Sequence, residues 1–332
     1  MHDRNSFYNF HGRIILGIML TLLSLMRCPL GESFRTRCRQ NIHSSYHSGA
    51  MCRLNRLLFD SSEVTTDGEY GELRVTLPKD DYRTVHARMI LGLQDGDTVR
   101  AGVVSCDDHD GLVTDEAVVQ WIRGGHANEE TSGSLQLRLT GLVPPVSYER
   151  DSSVSLILAL PRPLQLGRIL PMISQLGVDH LVLTSSRKVP RDYFGSHLFR
   201  KPEELRLRLV EGLCQAGDVK LPQLHVVRNL SRFLDEELDG LFSESGYARV
   251  IAHPQRYPDV PRLRLHDVEF PTAPPRIVIA VGPEGGWVEP NELERFKQHG
   301  FSQVSLGSRT LRSDVAVVSL LSLAHDVVFS RG

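Results

Sequence analysis

Arg276-Ile277-Val278-Ile279-Ala280-Val281 runs without a polar break into Gly282-Pro283-Glu284-Gly285-Gly286. A short continuous apolar run closed by a glycine turn predicts a strand buried on both faces, as in a parallel sheet. Ligands of open α/β sheets bind just beyond the carboxyl ends of such strands. Glycines at that point let the backbone approach a ligand closely, and Pro283 stiffens the turn. The turn alone fits a ligand loop and a plain strand-to-helix connection equally well. It is neither GxGxxG nor GxxxxGK[ST], so neither phosphate-cradle reading applies.

A second turn repeats the arrangement. Ser302 to Leu306 predicts the last strand, and Gly307, Arg309, Leu311, Arg312, Ser313 and Asp314 lead into an apolar helix expected over Ser313 to Phe329, with Ser313 as N-cap. Two such turns can hold one flat ligand, with two arginines and a carboxylate beside it. Working backwards, strands are expected at Ser155 to Leu160, His180 to Thr184, Leu224 to Val227 and Arg249 to Ala252. Helices are expected from Leu164 to Leu176, kinked at Pro171, from Pro202 to Ala216, and from Pro290 to His299, with Gly177, Gly217 and Gly300 as stops. The alternation defines an α/β domain over residues 151–332 with a mainly parallel sheet.

The pattern changes before Asp151 to Ser153. Leu73 to Leu77, Thr98 to Val104, Ala117 to Ile122 and Leu135 to Val143 are short strand-like runs set between Gly and Asp, which suggests a small β-barrel over residues 51–150. The acidic run Asp107 to Glu116 reads as a solvated loop. Further back, Ile14 to Met26 is apolar but too short for a membrane span, which needs about 20 residues. Arg27 to Ala50 is rich in Arg and Ser with one acid, Glu32. Residues 1–50 therefore read as a targeting extension for a plastid or mitochondrion, with no stable membrane span in the mature protein. If Met51 is the true start, the expectation is a cytoplasmic protein.

Composition narrows the function. The chain has 332 residues and a formal net charge of -2, so any nucleic-acid contact rests on local patches. The five cysteines, Cys28, Cys38, Cys52, Cys106 and Cys214, form no CxxC pair and complete no zinc pattern, so reduced thiols and no metal are expected. Arg187 to Arg208 holds seven Lys or Arg against three Asp or Glu.

Gly282 to Gly286 followed by Leu306-Gly307-Ser308-Arg309-Thr310-Leu311-Arg312-Ser313-Asp314-Val315-Ala316 resembles the signature of the RsmE family of ribosomal RNA methyltransferases, within the SPOUT superfamily. Asn55 to Phe59, His86 to Ile90, Leu158 to Pro161 and Gln175 to Val178 also align with family segments. The resemblance implies S-adenosyl-L-methionine-dependent methylation of N3 of a uridine in small-subunit ribosomal RNA. It implies a C-terminal SPOUT-type parallel sheet with a trefoil knot, preceded by a PUA-like β-barrel, and a homodimer. It implies a cofactor site at His253, Gly282, Pro283, Gly285, Gly286, Leu306, Gly307, Leu311 and Ala316. In chemical terms, Arg312 can stabilise a uracil anion and Asp314 or Glu284 can accept its proton. Arg56, His86, Arg162, Arg187, Lys188, Arg191 and Arg309 are the expected RNA contacts. The chain departs from the family pattern at Arg162 and Gln175, where the family has Lys and Glu, and near Asp218 and Val219, where the family has an Arg. Those departures keep two other readings open: an RNA-binding protein that kept the fold and lost the reaction, and a methyltransferase for a different RNA uridine.

Overall fold

The computed structural model describes residues 56–66, 72–105, 111–123, 133–145, 153–254 and 263–332. The targeting reading of residues 1–50, the boundary residues 151–152 and positions 107–110 of the acidic run lie outside them.

The N-terminal sheet comprises β1 (Leu57–Phe59), β2 (Val64–Thr66), β3 (Leu73–Leu77), β4 (Thr98–Val103), β5 (Leu112–Trp121) and β6 (Leu135–Leu139), with helix α1 (Tyr82–Met89) between β3 and β4. The order is β1-β4-β5-β6-β3-β2, and every pairing except the parallel β1–β4 is antiparallel. Alternate side chains of β3 and β6, among them Val75, Leu77, Leu135 and Leu137, point inward with Phe59, Val99, Val119 and Ala87 to form one core. Among the described residues the edge strands β1 and β2 do not pair, so the expected barrel is seen as an open six-stranded sheet. The loop expected up to Glu116 is corrected: β5 starts at Leu112, and Asp115 pairs with Arg56 and Arg100. Thr114 and Ala117 are both buried, three residues apart, because the register shifts there against Val99 and Ala101, and the bulge leaves Asp115 and Glu116 exposed within the strand.

The C-terminal sheet comprises β7 (Ser153–Ala159), β8 (His180–Thr184), β9 (Gln223–Val227), β10 (Ala248–Ala252), β11 (Arg276–Val281) and β12 (Ser302–Val304). Its helices are α2 (Pro163–Gln175), α3 (His197–Arg200), α4 (Pro202–Ala216), α5 (Leu230–Glu236), α6 (Leu238–Leu241), α7 (Asn291–Gln298) and α8 (Ser313–Arg331). All pairings are parallel in the order β12-β10-β11-β7-β8-β9. Strands β7 and β11 are buried along nearly their whole length, which is why their sequences are close to continuous apolar runs, with buried Ser155 the one polar interruption inside β7. After β9 the chain crosses to the far side of the sheet, and β11 then enters between β10 and β7. All six carboxyl ends open on one edge.

Pro171 sits inside α2, whose helix is continuous over Pro163–Gln175. The Ser174 hydroxyl reaches across to the Leu209 carbonyl at 2.6 Å, and Gly212 brings α4 against the Pro171 carbonyl. Gly217, at φ +73°, ends α4 in the left-handed region where glycine has no Cβ penalty. The expected N-cap at Ser313 shifts by one: Arg312 is the capping residue, and buried Ser313 begins α8. Helix α8 is long and apolar enough by composition to cross a membrane. Here Val317, Leu320, Leu321, Ala324, Val327 and Val328 pack it into the core.

The two sheets meet in a small third core of Leu58, Val104, Val210, Leu213 and Val219. Arg56 locks it. The guanidinium is buried and donates to the carbonyls of Gly217, Ala101 and Thr114 and to Asp115.

His180 and His225 stack on neighbouring strands with Nδ1 and Nε2 3.4 Å apart. Burial pushes both imidazoles below their ordinary value of 6.5, with mutual repulsion adding to the shift at His180. Below 6.5 the unfolded chain binds protons that the folded chain resists, so this contribution is full above 6.5 and is lost as pH falls toward the folded values. The urea midpoint should therefore drop on acidification from 6.5 to about 5, and His180→Gln with His225→Gln should flatten that window. An unchanged slope in the double variant would show that other groups carry the acid sensitivity.

Candidate functional site

The adjacent strands β12, β10 and β11 deliver three segments to one place. These are Ser305 to Gly307, His253, and the turn Gly282 to Gly286. The His253 amide donates to the Val304 carbonyl at 3.1 Å, tying the first two together. Within the turn, the Gly286 amide donates to the Pro283 carbonyl at 2.8 Å, and Gly286 sits at φ +66°. A Cβ on Gly282 would stand 3.1 Å from the Trp287 backbone nitrogen, so a larger residue there would push the turn open by a few tenths of an ångström. Trp287 is buried beneath it, edge-on to Phe296 at 4.9 Å.

Two side chains brace the turn from β8's end. Lys188 Nζ donates to the carbonyls of Gly285 at 2.7 Å and Trp287 at 3.3 Å. Buried Glu292, on the first turn of α7, accepts from the Arg187 amide at 2.8 Å and the Val288 amide at 2.7 Å. Glu292→Ala leaves both donors unsatisfied, each costing about 1–3 kcal/mol. We expect a lower urea midpoint with an unchanged fold by circular dichroism; wild-type stability would mean that water replaces the carboxylate.

His253 is buried, with Nε2 2.7 Å from Glu289 Oε1. Its Nδ1 is buried beside Gly286 and has no partner among the described residues. Leu306 and Leu311 are each 37% exposed at the rim. Arg312 extends beside them, donating to Asp314 at 2.8 Å and Gln165 at 3.3 Å. Desolvation pulls the Asp314 carboxyl up, but the Val315 amide, Gln165 and the Arg312 charge outweigh it and hold the carboxyl below its ordinary value. Asp314 is therefore a weak base. Glu284, exposed, accepts from the Arg162 amide at 3.1 Å through one oxygen.

The structure thus gathers His253, Gly282, Pro283, Gly285, Gly286, Leu306 and Gly307 on adjacent strand ends, with Leu311, Arg312, Asp314 and Ala316 on the segment entering α8. Arg162 lies at the same edge, and Arg309 is exposed on the turn. One expected RNA contact is corrected, Arg56, and two others, Lys188 and His86, have protein surroundings of their own. Arg56 is buried in the junction between the sheets, its guanidinium occupied by protein acceptors. Lys188 reaches the glycine turn, where carbonyl oxygens hold its ammonium. His86 lies half-buried on α1, and desolvation lowers its pKa, so it is neutral near pH 7 and brings no charge to a phosphate. Glu289, Glu292, Gln165 and Trp287 were not legible as site residues. The partners Arg187, His253 and Arg312 lie far from Glu292, Glu289 and Gln165 in sequence, and a Glu after Pro290 reads as ordinary helix-start charge.

Residues 149–325 match the model of the RNA methyltransferase domain family. The chain belongs to that family. A Treponema pallidum relative, ribosomal RNA small subunit methyltransferase E, is 27% identical over 279 residues, covering 82% of this chain and 92% of the relative. The solved structure of ribosomal RNA small subunit methyltransferase E from Neisseria gonorrhoeae, bound to S-adenosyl methionine, aligns with a TM-score of 0.59 at 17% identity, over 82% of this chain and 98% of that one. A Legionella pneumophila protein solved with the bound cofactor SAM aligns with a TM-score of 0.57 at 18% identity, over 82% of this chain and 97% of that one.

Proposed function

We propose that the chain transfers a methyl group from S-adenosylmethionine to N3 of a uridine in small-subunit ribosomal RNA. The observation that carries this reading is the backbone cleft at the ends of β12, β10 and β11, and the Treponema relative names the substrate class. The residues fit the cofactor. The glycine turn leaves its backbone approachable, His253 Nδ1 is a buried polar atom lacking a partner among the described residues, and Leu306 and Leu311 present apolar surface for a flat ring. His253, Gly282, Pro283, Gly285, Gly286, Leu306, Gly307, Leu311 and Ala316 would hold it. Bound there, it supplies an electrophilic methyl on a cationic sulfur.

The chain's own contribution is positioning and charge. The transfer would need N3 of the uracil held in line behind that methyl and relieved of its proton. Holding the two atoms aligned removes most of the entropic cost. Arg312 faces the negative charge that develops on the uracil. Asp314 is the positioning residue for Arg312, since its low pKa makes it a poor proton acceptor. Glu284, with one oxygen uncommitted among the described residues, takes the proton.

Two finer structural assignments belong to this reading. The insertion of β11 between β10 and β7 supports a trefoil knot around the cleft, and the six-stranded N-terminal sheet supports a PUA-like RNA-binding unit. The exposed apolar side chains Val315, Leu323 and Phe329, spread along α8, and Leu306 and Leu311 on the segment before it support a homodimer in which a second copy covers them. The residues before Met51 would direct it to an organelle's ribosome. The deciding experiment maps methylated uridines in small-subunit ribosomal RNA, compartment by compartment, with and without the protein. Disappearance of one mark is the expected result. If every mark persists the reading is rejected, and absent S-adenosylmethionine binding by calorimetry would instead favour an RNA-binding protein without the reaction.

A further inference from the structure

A second cavity opens on the same sheet edge, beyond β8 and β9. It measures about 1030 Å³ and runs between the segment after β8, the start of α5 and the outer face of α7. That is at the upper end of ligand-pocket sizes, about 300–1,000 Å³. Its wall carries Arg187, Arg191 and Arg228, all exposed, and none of the three has a carboxylate partner among the described residues. The other charged lining groups are Glu292, Glu294 and Arg295. Glu292 is bonded to two amides, Arg295 pairs with Asp235, and Glu294 stands on the α7 side. Arg228 also lies over the Phe194 ring, 5.6 Å from its centroid.

The groove connects directly to the cofactor turn. Glu292 bridges the Arg187 and Val288 amides, and the next residue, Lys188, holds the Gly285 carbonyl. A strand of RNA whose target base enters the cleft can leave it along this edge, past the arginines of the groove.

We propose that this groove binds the phosphodiester backbone of the single-stranded RNA flanking the modified uridine, with Arg187, Arg191 and Arg228 as its phosphate ligands. The assignment rests on the proposed RNA methylation and adds a specific track to it. Guanidinium groups take phosphate oxygens bidentately, and three of them along an open wall, none in an ion pair among the described residues, suit a polyanion more than a small apolar ligand. Such contacts position RNA without reading its sequence.

The test uses the full chain and a fluorescently labelled single-stranded oligoribonucleotide of mixed sequence, titrated across a salt series. Removing one arginine–phosphate pair on a single strand flattens the log–log salt slope by about 0.7, so Arg187→Gln, Arg191→Gln and Arg228→Gln together should flatten it by about 2. The triple Arg→Lys variant should keep most of the slope. Arg276→Gln, at the opposite edge of the same sheet, should leave it unchanged. S-adenosylmethionine affinity, read by calorimetry, reports that the triple variant is folded. Competition by a mononucleotide or inorganic phosphate as strongly as by the oligonucleotide would overturn the RNA track in favour of a small phosphate site. An unchanged slope in a variant that still binds the cofactor would also overturn it, whether or not the wild type methylates ribosomal RNA. Conversely, a flattened slope with every ribosomal mark intact would reject the substrate and keep the groove.

Discussion

Arg312→Ala is expected to slow methyl transfer by about 10²–10³-fold, the cost of removing one preorganised charge-stabilising donor. The side chain is 71% exposed and its bonds run to Asp314 and Gln165, so the substitution leaves the core packing intact. Cofactor affinity should hold, because the backbone segments of the cleft do not depend on the guanidinium. Single-turnover transfer to small-subunit RNA and calorimetry with S-adenosylmethionine separate the two quantities. Arg312→Lys should recover part of the rate, since it restores charge without the planar fork. A near-normal rate in the alanine variant would leave the Arg312 side chain with only its contacts to Asp314 and Gln165.

Gly212→Ala should destabilise the C-terminal unit by about 1–3 kcal/mol or more, the usual penalty of overpacking. An exposed helix interior would give the opposite sign, because alanine exceeds glycine in helix propensity by about 1 kcal/mol. The reversal comes from packing. An added Cβ would overlap the Pro171 carbonyl oxygen and Ser174 Oγ, so α2 and α4 would have to separate. Gly167→Ala is the matched comparison: on α2 it would meet only Leu198 Cδ1 at 4.0 Å. Urea titrations of the two variants should move in opposite directions. A stabilised Gly212→Ala would mean that the two helices have room to accept a methyl group between them.

The contrast between these two glycines marks where sequence reading ends. Gly212 looks like an ordinary helix glycine, and only the position of Pro171 across the interface gives it a role. The same applies to Arg56 and Lys188. As isolated cations they read as phosphate ligands, but the fold surrounds one with carbonyls between two sheets and lays the other on the glycine turn. Glu292 and Glu289 carried little signal because their distant partners, Arg187 and His253, are brought near by sheet order, while the Glu292 bond to the nearby Val288 amide looks like an ordinary helix-start contact.

What the sequence determined by itself was local. Largely apolar runs set β7 and β11 as buried strands, a glycine in the left-handed region ended α4, and the glycines after β11 marked a tight turn at a strand's carboxyl end. These follow from side-chain period and backbone sterics, which act over a few residues. The tertiary structure decided which strand ends are neighbours. The order β12-β10-β11 sets His253, Gly286 and Leu306 around one cleft, although Leu306 follows His253 by more than 50 positions. Parallel pairing joins residues distant in sequence, and hydrophobic periodicity holds no record of which strand lies beside which.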